Sequence, residues 1–199
     1  MENSQHINRG YRFAKRLFDV FFSLIMIIVM IPTFLLVSLW IFIVSPGPVL
    51  FFQKRYGRHG RFFWCIKFRT MNKKAPHNLP TWEIDAPWQY YIAGGGFLRR
   101  FGIDELPQLW NILFGQMSFV GPRPCGINEA DLNQRRQENG AGNFRPGLTG
   151  YAQVMNRSCE DNSQKAILDG FYAANASAKL DWTIFWKTFS VLSHPKKKR

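Results

Sequence analysis

From Val20 to Val44 the chain runs 25 residues without a charged side chain. At 1.5 Å rise per residue, an α-helix of that length reaches across a hydrocarbon layer of about 30 Å. The run is longer than the roughly 7–15 residues of a signal-peptide apolar region. It is followed by Ser45-Pro46-Gly47-Pro48, a helix stop and not a cleavage site. The segment is therefore read as a membrane element that stays attached. Arg9, Arg12, Lys15 and Arg16 precede it; Lys54, Arg55, Arg58, Arg61, Lys67, Arg69, Lys73 and Lys74 follow it, with no acid from Val20 to Trp82. Lys/Arg-rich flanks stay in the cytoplasm, so a segment with two of them is best served by entering and leaving through one face. Pro32, near the middle of the run, removes a backbone hydrogen bond and clashes with the preceding turn. The expectation is a re-entrant helix broken at Pro32 over residues 1–47, ahead of one compact cytosolic domain over residues 48–199. The alternative is a spanning helix kinked at Pro32, with a short N-terminus on the far side.

Beyond Gly47 the composition is that of a folded domain. Across the whole chain 46% of residues are hydrophobic and 16% aromatic, which is ample for a core and excludes a disordered chain. Three scattered cysteines, Cys65, Cys125 and Cys159, have no metal-site spacing and read as structural thiols in a reducing compartment. The class expected is α/β, mostly helical with a short β-hairpin. The hairpin runs from Val49–Phe52 through a turn at Tyr56–Gly60 to Arg61–Met71. Alternation along its second strand puts Phe62, Trp64, Ile66 and Phe68 on one face, with Phe63, Cys65, Lys67 and Arg69 on the other. Residues 72–96, with three prolines and three consecutive glycines, read as a long functional loop. Helical periodicity resumes at Leu106 and stops at Gly115, then recurs near Asn162–Ala174 and Asp181–Leu192. In the last of these, Trp182, Phe185, Trp186 and Phe189 share a face that reads first as core, with the membrane interface as the alternative. The terminal run Lys196–Arg199 reads as a solvated tail drawn to anionic lipid.

Chemistry concentrates between Arg99 and Gly150. Asp104 and Glu105 stand at the start of a helix with Pro107 in its first turn, where acids also serve as ordinary caps. Around them the sequence gathers Arg99, Arg100, Arg123 between Pro122 and Pro124, and Arg145 before Pro146. Arginine presents a planar fork of donors to phosphate oxygens, and the flanking prolines stiffen the backbone that carries it. Two carboxylates in the same place would repel phosphate unless a divalent cation mediated; Mg²⁺ is the usual solution.

Four ordered stretches, IKFRTM (66–71), DELPQLWNIL (104–113), MSFVGPRP (117–124) and RPGLTGYAQV (145–154), lie behind one apolar segment. In these the chain resembles the bacterial sugar transferases of the monotopic polyprenyl-phosphate phosphoglycosyl transferase family, in their small form. The resemblance implies a re-entrant anchor, a cytosolic catalytic domain with interfacial amphipathic helices, and a place on the cytoplasmic face of the bacterial inner membrane. It implies transfer of a sugar 1-phosphate from a UDP-sugar to polyprenyl (undecaprenyl) phosphate, with Mg²⁺, giving polyprenyl-diphosphate-sugar and UMP and so initiating a membrane glycan such as an exopolysaccharide. Asp104 matches the family's nucleophile and Glu105 the second acid of its dyad, for metal binding or proton handling. Lys67, Arg69, Arg99, Arg123 with Pro122 and Pro124, and Arg145 match phosphate- and nucleotide-binding positions. Asp169, Tyr172 and Asp181 match late positions without an assigned role. Downstream glycosyltransferases, a flippase and a homodimer are further partners it suggests. The chain departs from the family at Ile31-Pro32, where a Ser-Pro break is common, and over Tyr151–Arg157, which reads YAQVMNR where WAQVNGR is common.

The net charge of +13 with interleaved aromatics also suggests a nucleic-acid-binding module. Much of that charge, however, flanks the apolar segment, where anionic lipid accounts for it, so no nucleic-acid partner is expected. A non-enzymatic membrane scaffold is the other alternative, and it would tolerate the loss of Asp104.

Overall fold

The computed structural model describes residues 9–76, 84–156 and 161–193. Arg157, Cys159 and the run 196–199 lie outside the described residues.

The apolar segment forms two helices, α1 (Arg9–Val29) and α2 (Ile31–Val44), bent by 60° at Met30. Pro32 falls in the first turn of α2, where its missing N–H costs nothing. The chain stays hydrogen-bonded through the break, Met30 N to Met26 O at 2.9 Å and Phe34 N to Met30 O at 2.8 Å. Neither helix alone is long and apolar enough to cross a membrane, though the bent pair together is. The pair is sharply two-sided. Asp19, Ser23 and Ile27, one turn apart on α1, are buried, while Phe13, Leu17, Phe21, Leu35, Leu36 and Phe42 stand well exposed.

The inner face is built into the domain. Ile27 joins Leu109, Ile112, Met117, Phe119, Phe144, Tyr172 and Ile184 in the main core, and Ile41 of α2 packs with Phe68, Ile92 and Leu98 in a second cluster. The expected hairpin is present as β1 (Leu50–Tyr56) and β2 (Phe62–Phe68), antiparallel, with Lys54 opposite Trp64. Its first strand runs longer than expected and its second ends sooner. Phe63 and Cys65 are buried as alternation requires, leaving Phe62 and Trp64 more than half exposed. Cys65 and Cys125 are buried free thiols. The loop after β2 is shorter than its sequence suggests: a bridge between Met71 and Tyr91 ties it back, and α3 (Gly95–Arg100) already occupies its end.

A tight turn at Ile103–Glu105 leads into α4 (Gln108–Leu113). Asn111 of α4 is buried; its Nδ2 donates to Trp64 O at 2.8 Å and its Oδ1 accepts from Ile66 N at 3.0 Å, which docks α4 onto β2. A second sheet, unforeseen in the sequence, pairs β3 (Ser118–Val120) in parallel with β4 (Gly147–Thr149). Three residues per strand are too few to show a period of two. Glycines permit the close approach: a Cβ on Gly121 would run into the Arg145 carbonyl oxygen, and one on Gly150 into that of Gly121. Between the strands lies α5 (Ala130–Glu138), and after them the short α6 (Tyr151–Met155).

The last two helices are close to their expected bounds. α7 (Asn162–Asn175) is capped by Asp161, whose carboxylate accepts from Ser163 N and Gln164 N. In α8 (Ala178–Ser193) the core reading of the aromatic stripe is overturned. Ile184 is the buried residue and Phe185 only packs against the core, whereas Trp182, Trp186 and Phe189 are each more than half exposed. The stripe is wider than the contact α8 makes, so its outer part is left bare.

Candidate active site

The turn Ile103–Glu105 presents its two carboxylates differently. Gly102, at φ 69°, reverses the chain out of α3 and sets the turn. Asp104 is buried, 7% exposed, and among the described residues its carboxylate makes no hydrogen bond or ion pair. Burial and the adjacent Glu105 raise its pKa above the usual carboxyl value, against the pull of Lys67, Arg99 and Arg123. Glu105 is instead fully committed on one oxygen: its Oε1 accepts from Lys67 Nζ at 2.9 Å and from Arg123 Nη2 at 3.0 Å. Burial works to raise its pKa, but the charges of Arg123 and Lys67 outweigh it and hold the carboxylate well below its usual range. One acid is thus a fixed anion shared by two cations, and its neighbour is a desolvated carboxylate with both oxygens uncommitted.

Arg123 is half exposed but stands on a clamped loop. Arg136 Nη1 holds the Arg123 carbonyl at 2.8 Å, Arg55 Nη1 the Pro124 carbonyl at 3.3 Å, and Tyr56 N the Cys125 carbonyl at 3.0 Å. Glu129 Oε2 accepts from Gly126 N at 2.6 Å, and the Pro122 carbonyl accepts from Gly147 N at 2.9 Å. Pro122 and Pro124 therefore serve through their carbonyls as well as their rings. Arg136 is itself buried against Asp169, with Nε and Nη2 on Oδ2 at 2.9 and 2.6 Å. This gives Asp169 a role: through Arg136 it fixes the backbone of Arg123, which reaches Glu105.

The other predicted cations part company. Arg99 Nη1 reaches Thr70 Oγ1 at 3.3 Å and lies close enough to Asp104 to act on its charge. Arg69 is buried beneath the end of α2, its Nη2 bonded to the Ser45 carbonyl, with Nε and Nη1 unpartnered. Arg145 turns away from the dyad, its Nε on Gly115 O at 2.7 Å. So Lys67, Arg99 and Arg123 converge on Asp104 and Glu105, whereas Arg69 and Arg145 do not. Arg136, Asn111 and Asp19 were missed by sequence reasoning. Asp19 Oδ1 accepts from Ser118 Oγ at 3.1 Å and Phe119 N at 3.0 Å, joining α1 to β3. A charge at the edge of an apolar helix was the available signal for it. Tyr172 and Asp181 complete the frame: Asp181 accepts from Tyr172, from Tyr11 and from Lys15 Nζ at 2.6 Å, tying α1 to α8.

No group of three or more His, Cys, Asp or Glu side chains suited to a metal occurs among the described residues. A pair of adjacent carboxylates, one of them uncommitted, still fits a Mg²⁺ ion whose other ligands come from substrate phosphates and water.

Residues 10–195 match the sequence model of the bacterial sugar transferases. The chain is 34% identical to the undecaprenyl-phosphate galactose phosphotransferase of Salmonella typhimurium, over 92% of this chain and 41% of that protein. It is 33% identical to the exopolysaccharide production protein ExoY of Sinorhizobium fredii, over 88% of this chain and 83% of that protein. It is 37% identical to the UDP-glucose:undecaprenyl-phosphate glucose-1-phosphate transferase of Xanthomonas campestris, over 71% and 30% respectively. The chain thus spans most of ExoY and about two fifths or less of the other two.

Proposed function

The chain belongs to the bacterial sugar transferase family, and from that premise we propose that it transfers a sugar 1-phosphate from a UDP-sugar to undecaprenyl phosphate. A carboxylate oxygen of Asp104 attacks the β-phosphorus of the UDP-sugar. The bond from that phosphorus to the bridging oxygen breaks, and UMP leaves. The acyl phosphosugar on Asp104 is then attacked at the same phosphorus by an oxygen of undecaprenyl phosphate, which frees the carboxylate and yields the lipid-linked diphosphosugar. Splitting one displacement into two in this way is the usual gain of covalent catalysis.

The observation that carries this reading is the division of labour in the dyad. Among the described residues Asp104 has no competing hydrogen bond to give up, so its oxygens are available to phosphorus. Glu105 holds Lys67 and Arg123 side by side, which places two cations where phosphoryl oxygens would carry charge. Asp104 and Glu105 would hold Mg²⁺ together with the substrate's phosphates, and there the ion would supply neutralisation of the charge that develops on UMP. The exposed outer faces of α1 and α2, the 60° bend and the basic flanks support insertion of this pair into the cytoplasmic leaflet of the bacterial inner membrane, with the domain at residues 48–199 on the cytoplasmic side. The bare aromatics of α8, Trp182, Trp186 and Phe189, suit the same interface.

The test is UMP release by the protein in nanodiscs with undecaprenyl phosphate and Mg²⁺ across a panel of UDP-sugars, with Asp104→Asn alongside. UMP from wild type with one donor and none from the variant supports the reaction and identifies the sugar. UMP formed equally by both removes Asp104 from the chemistry. Labelling of a cysteine placed in residues 9–15 from outside intact cells would refute the re-entrant arrangement.

A further inference from the structure

A group of cations apart from the dyad has no part in the reaction above. It lines a recess that holds Arg12 and Lys15 of α1, Arg58 from the hairpin turn, and Asn143 and Arg145 from the stretch leading into β4. The dyad is not part of it. Lys15 is satisfied by Asp181, and Asp19, which also lines the recess, is engaged by Ser118 and Phe119.

The three arginines are not satisfied. Arg58 spends Nε on Asn143 O at 2.9 Å, and Arg145 spends Nε on Gly115 O at 2.7 Å. Among the described residues the terminal amino groups of both guanidinium forks make no hydrogen bond or ion pair, and neither does Arg12. Burial and the charges of Arg12 and Arg145 weaken proton binding at Arg58, as expected where like charges share a small volume. Backbone anchors on two of them hold the guanidinium forks in place. Such an arrangement is stabilised by a tetrahedral anion, whose oxygens match the forks.

Position decides which anion. Arg12 is followed on α1 by Phe13 and, a turn later, by Leu17, which are 74% and 61% exposed and belong to the apolar outer face. If that face lies in lipid, as proposed above, the recess opens at the depth of the headgroups. We propose that this recess binds the phosphodiester headgroup of an anionic phospholipid beside the point where α1 enters the membrane, apart from the sugar-phosphate site. It rests on the membrane reading of α1 and α2.

The experiment is partition of the full chain onto vesicles of phosphatidylcholine alone and of phosphatidylcholine with phosphatidylglycerol. Wild type should bind both and prefer the anionic vesicles. Arg12→Gln/Arg58→Gln should lose about fivefold of that preference per cation removed, with binding to neutral vesicles and UMP release in detergent unchanged. Arg12→Gln alone, at an exposed residue without partners, should lose about fivefold with no cost to folding. A charge-matched control, Lys54→Gln/Arg135→Gln, should lose less than about twofold, since neither residue lines the recess. Equal losses in the control and the recess variant would overturn the site in favour of diffuse attraction. Wild type that binds neutral vesicles as well as anionic ones would overturn the site alone. Wild type that binds neither would overturn the membrane reading and the site together.

Discussion

Asp104→Asn should abolish turnover and at the same time make the protein more stable. Asp104 is 7% exposed as a residue, its carboxylate lacks any hydrogen bond among the described residues, and it lies beside the anionic Glu105. Its pKa is therefore higher folded than unfolded. A carboxyl shifted this way favours the fold most when protonated, below its ordinary value, and that contribution is lost as pH rises through the folded pKa. At neutral pH the ionised carboxylate is thus a net cost, which an amide of the same shape removes. Relief of such a strained functional group is worth about 0.5–2 kcal/mol, and each kcal/mol moves the midpoint of a chain this size by roughly 2–4 °C. The variant should accordingly melt about 1–8 °C higher at neutral pH, and this gain should shrink as pH falls and wild-type Asp104 takes up its proton. Loss of the proposed nucleophile should cut UMP release by about 10⁴–10⁶. Thermal unfolding in nanodiscs across a pH series, with UMP release on the same samples, reads both. A variant that melts below wild type at neutral pH would refute the argument, because Asp104 would then be paired and structural. A gain that does not depend on pH would refute its electrostatic cause.

Asp169→Asn leaves Arg136 charged and buried without its partner, at a cost of about 3–5 kcal/mol. Asp169→Leu/Arg136→Met should recover most of the stability in a denaturant melt but not the turnover, because the Arg123 carbonyl would still lack its donor. Lys67→Met removes a cation that lowers the pKa of both Asp104 and Glu105, so the acidic limb of UMP release against pH, set by Asp104 as the higher of the two, should move to higher pH. An unmoved limb would take Asp104 ionisation out of the rate. Gly121→Ala would drive a methyl group into the Arg145 carbonyl and should cost at least about 1–3 kcal/mol in the same melt, with Arg123 displaced and turnover lost.

The dyad was legible in the sequence because its residues act where they stand. Asp104 and Glu105 are adjacent, Lys67 follows from strand alternation, and Arg123 is fixed between prolines, so short-range rules found most of the cluster. The bend was legible for the same reason, since one proline in an uncharged run has few other meanings, although the turn itself falls at Met30. Arg69 and Arg145 were harder. Both lie in motifs with the others, yet the direction of a guanidinium depends on which carbonyl is left unpaired nearby, Ser45 at the end of α2 for one and Gly115 after α4 for the other. Those acceptors are 24 and 30 residues away, beyond any local pattern.

The same limit explains the support of the site. The chain from Asp169 through Arg136 to Arg123 and Glu105 joins residues separated by 33, 13 and 18 positions, and the loop that carries Arg123 follows β3 in its parallel pairing with β4. A three-residue strand has no periodicity to read, but the glycines at Gly121, Gly147 and Gly150 mark where two backbones must touch. In this chain the residues proposed for the chemistry are a local feature, and the geometry that gathers them is not. Substitutions far along the sequence, at Asp169 or Gly121, should therefore damage turnover through Arg123, while Arg12, on α1 and outside the dyad, should leave turnover in detergent intact.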